Sequence, residues 1–135
     1  MKIVLDTNVF VSGVFFRGPP YQILRAWSEG RIRLLMSGEI FEEYQRVGEL
    51  LSKDFPEVDL GPFLELLAIN SEFVIPDKLK NPVCEDPDDD KFLACAIAGQ
   101  SKIIISGDKH LLRVSGYKGI KVLRPREFVD EHLDK

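Results

Sequence analysis

Cysteine is scarce in this chain: 135 residues carry two thiols, Cys84 and Cys95. Two thiols build neither a disulfide framework nor a four-thiolate zinc site. Cys95 falls inside an apolar helical pattern, where a buried free thiol is ordinary. Histidine is equally rare, and His110 and His132 both stand among charged residues. No Ser-His-Asp set suggests itself. Long hydrophobic runs are missing too, since none approaches the roughly 20 residues that a membrane-spanning helix needs. The opening Met1-Lys2-Ile3 does not begin a secretory leader, because Asp6 and Asn8 interrupt the apolar run. An excess of positive charge is also lacking. The formal net charge of −4 excludes nucleic-acid binding through bulk basicity, and leaves that work to local positive charge or a bound cation. Repeats, low-complexity tracts and long linkers are absent. These absences predict a cytoplasmic, soluble protein without a membrane partner, folded as a single domain over residues 1–135 around one core.

What is present alternates. Ile3-Val4-Leu5 reads as a strand buried on both faces. A mixed segment, Val9 to Arg17, follows and ends at Gly18-Pro19-Pro20, which opens a helix from Tyr21 to Glu29. The next strand holds Ile32, Leu34, Leu35 and Met36. Ser37-Gly38-Glu39 then begins a longer helix, with Ile40, Phe41, Tyr44, Val47, Leu50 and Leu51 at three- and four-residue spacings. Another helix starts at Gly61-Pro62, and Phe73-Val74-Ile75 forms a short strand. An acidic, proline-rich loop from Pro82 to Asp90 precedes a helix over roughly Asp89 to Ala98. Lys102 to Ser106 is a strand, Lys109 to Val114 a short helix, Ile120 to Leu123 an edge strand, and Pro125 opens the last helix. Strands alternating with helices predict right-handed crossovers and a mostly parallel sheet of about four to five strands in a three-layer α/β domain.

The acids carry the chemistry. Asp6 ends the first strand and Asp108 follows the strand Ile103-Ile104-Ile105, so both belong to the carboxyl edge of the sheet, where α/β folds place their ligands. Glu43 stands three residues after Ile40 and four before Val47, on a core-facing stripe, and needs a partner because burying an unpaired charge costs several kcal/mol. Glu42 falls nearer the polar side. In the run Asp86 to Asp90, each acid can also serve the N-terminus of the next helix. Asp90 precedes Leu93, Ala94 and Ile97 at three, four and seven residues, and Asp89 precedes Phe92, Leu93 and Ala96 in the same way. The pattern alone leaves both open. Carboxylates about 5 Å apart repel by roughly 3 kcal/mol per pair at an effective dielectric near 20. Four on one edge therefore call for a cation, and an all-oxygen set suits Mg²⁺ or Mn²⁺. Such ions activate water against phosphodiesters. Thr7, Asn8 and Ser106 are placed either to shape turns or to orient the carboxylates.

These segments resemble the PIN-domain ribonucleases. Asp6-Thr7-Asn8 after an opening strand is similar to the family's first motif, and Glu43 in Glu42-Glu43-Tyr44-Gln45-Arg46-Val47 to its mid-chain helical acid. Asp86-Pro87-Asp88-Asp89-Asp90-Lys91-Phe92-Leu93-Ala94 resembles the third motif and Ser106-Gly107-Asp108-Lys109-His110-Leu111-Leu112 the fourth, with serine where threonine is more frequent. Val122 to Phe128 looks like the closing strand and helix. The resemblance implies a three-layer α/β/α PIN-like domain and a Mg²⁺- or Mn²⁺-dependent endoribonuclease cutting single-stranded RNA. It also implies a toxin of a type II toxin-antitoxin pair with an antitoxin protein as partner, and frequent homodimers. Carried over, the catalytic, metal-binding acids are Asp6, Glu43, Asp90 and Asp108. Asp90 is preferred over Asp89 because Lys91-Phe92-Leu93-Ala94 matches the family's third motif when counted from it, and Asp86 has an outer role.

Arg17, Lys91, Lys109 and Arg113 flank the motifs as candidate contacts for RNA phosphates. Two other classes compete. An aspartyl-phosphate phosphatase would use Asp6 as nucleophile, but it wants an acid where Asn8 stands and leaves Glu43 and Asp90 without a role. A binding module that kept the fold and lost the chemistry would have no need of the full acid set.

Overall fold

The computed structural model describes residues 1–134. Five parallel strands form one sheet: β1 (Lys2–Leu5), β2 (Arg33–Met36), β3 (Glu72–Phe73), β4 (Ile103–Ile105) and β5 (Lys121–Leu123), in the order β3-β2-β1-β4-β5. The central strands are apolar on both faces, as parallel strands sandwiched between helices must be. Ile3, Val4, Leu34, Leu35, Met36, Ile104 and Ile105 are all fully or almost fully buried. The flanking helices are α1 (Thr7–Phe15), α2 (Pro19–Ser28), α3 (Gly38–Ser52), α4 (Gly61–Asn70), α5 (Asp90–Ala98), α6 (Lys109–Leu112) and α7 (Pro125–Phe128). Helices on both faces of the sheet make the three-layer α/β/α architecture, with the sheet parallel throughout.

Three local departures from the sequence reading have plain causes. The segment expected to be mixed is the helix α1, which begins directly after Asp6. Its Val9, Phe10, Val11, Val14 and Phe15 are all buried, so its polar face narrows to Asn8 and Ser12 and the helical period is faint. The third strand covers Glu72–Phe73 rather than Phe73 to Ile75. Val74 still donates its N–H to the Met36 carbonyl at 2.9 Å, but Ile75 is 98% exposed beyond the sheet. The last helix shortens to α7 and continues as a π-helical turn over Val129–Leu133.

The strand order matters for function. Successive strands step from β1 toward β3 on one side and from β4 to β5 on the other, so the direction of winding reverses between β1 and β4. That reversal opens a crevice at the carboxyl ends of these two strands. Val4 pairs with Ile104 and Leu5 with Ile105, and continuing the register sets Asp6 beside Ser106.

Candidate functional site

Asp6 stands where β1 turns into α1. Its main-chain N–H donates to the Ile105 carbonyl at 2.9 Å, and its own carbonyl accepts the first N–H groups of α1 from Val9 and Phe10. The carboxylate makes no cap on α1. Instead it accepts a 2.6 Å hydrogen bond from the buried Ser106 hydroxyl. The same Ser106 oxygen accepts the Asp108 N–H at 2.9 Å, so one side chain ties both strand ends together. Asp108 in turn accepts the His110 N–H at 2.8 Å through one carboxylate oxygen, which caps α6. Burial above all raises the Asp6 carboxyl; the Ser106 hydroxyl and the Asn8 N–H pull it back in part, and the charges of Asp108 and Glu43 add to the rise.

The two candidate third acids separate. Both oxygens of Asp90 are taken by main-chain N–H groups, from Val83 at 3.1 Å and Cys84 at 2.7 Å. Asp90 thus staples the preceding loop to the start of α5. Asp89 is half-buried, and its carboxyl is pushed up to about 6, first by burial and then by the charges of Asp108, Asp6 and Asp86, with Lys91 acting the other way. Asp89 therefore lies within the field of Asp6 and Asp108. Burial along α5 agrees, because Phe92, Leu93 and Ala96, the stripe that leads back to Asp89, are at most 1% exposed. Ile97, on the stripe of Asp90, is 37% exposed. Asp86 accepts the Asp88 N–H at 3.0 Å and caps the short turn Pro87–Asp89.

Glu43 has the partner its position demands. Its Oε2 lies 2.6 Å from the Lys91 ammonium and 3.7 Å from the Arg46 guanidinium, and its Oε1 accepts from the Thr7 hydroxyl. Lys91 also donates to the Asp88 carboxylate at 2.8 Å and the Asp88 carbonyl at 2.9 Å, and only 4% of its side chain is exposed. Burial disfavours this ammonium, yet the hydrogen bonds to Asp88 and Glu43 outweigh it and raise its pKa on balance. The sequence reading placed Lys91 among the RNA contacts and missed its pairing with Glu43. The signal was available: Lys91 stands three and four residues before Ala94 and Cys95, a cation on an apolar stripe, as Glu43 is an anion on one.

The other candidates lie outward. Asn8 and Arg17 are exposed, and Arg17 rests over the Tyr21 ring at 4.7 Å. Lys109 is exposed at the start of α6. Arg113 and His110 converge on Glu85, at 3.3 and 2.7 Å. A cavity of about 250 Å³ is lined by Asp88, Asp90 and Lys91 but not by Asp6, Asp89 or Asp108, so it lies beside the acid edge rather than over it.

The PIN-domain family model matches residues 2–110, which hold all four acidic motifs. The chain belongs to the PIN-domain family. A curated relative, the uncharacterized protein MJ1680 of Methanocaldococcus jannaschii, is 33% identical over 146 aligned positions, covering 97% of this chain and 91% of the relative. PIN domains are nuclease-type domains that work with divalent ions, so this PIN domain is of nuclease type. Among the described residues, no three acid, histidine or cysteine side chains converge tightly enough to cage an ion. The donor chemistry nevertheless fits one: Asp6, Asp89 and Asp108 offer only oxygen, and the Asp108 charge helps to raise the carboxyls of both Asp6 and Asp89. The cation near them, Lys91, is engaged with Glu43 and Asp88. No helix among the described residues is long and apolar enough to cross a membrane.

Proposed function

We propose that this PIN domain is a Mg²⁺- or Mn²⁺-dependent endoribonuclease that hydrolyses phosphodiester bonds of single-stranded RNA, and that it acts as the toxin of a toxin-antitoxin pair with an antitoxin protein as partner. The observation that carries the nuclease reading is the joining of Asp6 and Asp108 through Ser106 at the switch between β1 and β4, with Asp89 at the start of α5 within reach of their charges. Asp6, Asp89 and Asp108 would hold the ion, with Asp89 in place of Asp90 because both oxygens of Asp90 fasten the loop at Val83 and Cys84. A bound divalent ion supplies charge neutralisation and makes an attacking water acidic enough to act near neutral pH.

The chain's own groups do the rest. Ser106 fixes the Asp6 carboxylate by donating to one of its oxygens. The cap on α6 engages one Asp108 oxygen and so holds that carboxylate at the strand end. Thr7 and Lys91 hold Glu43 at the rim. Lys109, exposed at the start of α6, and Arg113 just after it would meet phosphates, where charge-assisted contacts position a strand without reading its bases. The mechanism is direct hydrolysis with no covalent intermediate on the protein.

The test is cleavage of single-stranded RNA with Mn²⁺ or Mg²⁺. Asp6→Asn and Asp108→Asn should each lower the rate by about 100-fold or more, as the loss of a charge stabiliser does in other active sites. Cleavage unchanged in both variants, or indifferent to a chelator, would sink the assignment.

A further inference from the structure

The acids of this site divide into a neutralised one and three that are not. Glu43 is saturated: Oε1 accepts from Thr7, and Oε2 faces Lys91 at 2.6 Å with Arg46 at 3.7 Å. Lys91 is saturated as well. An ammonium has three N–H donors, and here they meet Glu43 Oε2, Asp88 Oδ2 at 2.8 Å and the Asp88 carbonyl at 2.9 Å. With 4% of its side chain exposed, this lysine is an internal cation, fixed by the same helix α5 whose entrance carries Asp89. An ion pair this far from water is held firmly, because separating it would leave two uncompensated charges.

We infer that Lys91 is a positioning residue that occupies Glu43 in place of a second ion, so that the site takes one divalent cation on Asp6, Asp89 and Asp108. The inference rests on the metal-dependent reading above and adds the stoichiometry and the residue that sets it. Three carboxylates are largely neutralised by one divalent ion. A fourth free carboxylate would open a second site, and the Lys91 ammonium closes it. Asp88 matters here only as the anchor that keeps the ammonium turned toward Glu43.

Mn²⁺ titrated into the full chain, with free Mn²⁺ followed by its electron paramagnetic resonance signal, tests this without any assay of activity. Wild type should bind one ion per chain. Glu43→Gln should also bind one, with an affinity within about threefold of wild type, whereas loss of a direct ligand or its close support weakens binding by about tenfold or more. Lys91→Arg should keep one ion, Lys91→Met should admit a second, and Lys91→Met combined with Glu43→Gln should return to one. Circular dichroism melts establish that each variant is folded. Should Lys91→Met fail to fold, Glu43→Gln alone decides, since a tenfold loss of affinity there overturns the inference. Two ions bound by wild type would overturn it while leaving the nuclease reading intact. No Mn²⁺ bound by wild type would remove both.

Discussion

A carboxylate can hold an ion or fasten a backbone, and its free oxygens decide which. Both oxygens of Asp90 accept main-chain N–H groups, so Asp90→Ala should strand two donors and lower stability by about 1–3 kcal/mol. The loss should be the same with and without Mn²⁺. Asp89→Asn should instead remove most of the Mn²⁺ stabilisation and leave the loop in place. The Asp89 carboxyl adds a signature of its own, since burial and its acidic neighbours push it from 3.8 up to about 6. Between those values the folded protein holds a proton that the unfolded chain has released. The folded state therefore binds more protons there, and this contribution to stability declines as pH rises from about 4 to about 6. In chelator, wild type should accordingly lose stability relative to Asp89→Asn across that window. A difference between the two that does not change with pH would refute the assignment. The sequence pattern left the pair open because both acids precede apolar residues at three, four and seven positions, and periodicity does not say which stripe is buried. In the fold, Ala96 is the fully buried residue and Ile97 is partly exposed.

At the scale of elements, α1 was the least legible part of the chain and is among the most informative. A helix buried nearly all round has little amphipathic period to read, and only its neighbours reveal it. The closest is α2. A Cβ at Gly13 would lie 2.6 Å from Leu24 Cδ1 and 2.8 Å from the Pro20 carbonyl oxygen. A leucine methyl can turn aside, but the main-chain oxygen cannot. Alanine favours a helix by about 1 kcal/mol over glycine, whereas overpacking costs about 1–3 kcal/mol, so Gly13→Ala should lose about 1 kcal/mol net. Chemical denaturation measures it, and a variant as stable as wild type would show that α1 and α2 can separate without penalty. The consequence reaches the site because α1 begins at Asp6 and carries Thr7, the residue that donates to Glu43.

At the scale of the whole molecule, alternation of strands and helices made the parallel sheet legible, and the carboxyl-edge acids followed from it. The order of strands was not legible, because Asp6 and Ser106 stand 100 residues apart and nothing local in either segment encodes their pairing. That pairing gathers acids at one edge, and the gathering opposes folding. Burial raises the Asp6 carboxyl, so near neutral pH its ionised form is less favoured in the folded protein than in the unfolded chain. Asp6→Asn should therefore be more stable than wild type when ions are removed by chelation. With Mn²⁺ the order should reverse. An ion that binds only the folded state at about 100 times its Kd adds about 2.7 kcal/mol, which for a domain of this size raises Tm by about 10 °C. Wild type should show that rise and Asp6→Asn little of it. Equal Mn²⁺ shifts in the two proteins would mean that the ion binds elsewhere, and a less stable chelated variant would mean that Asp6 is held by its hydrogen bonds rather than opposed by its neighbours. The crossing of the two stability curves is thus the expected mark of a site that spends folding stability to keep its charge ready for a metal.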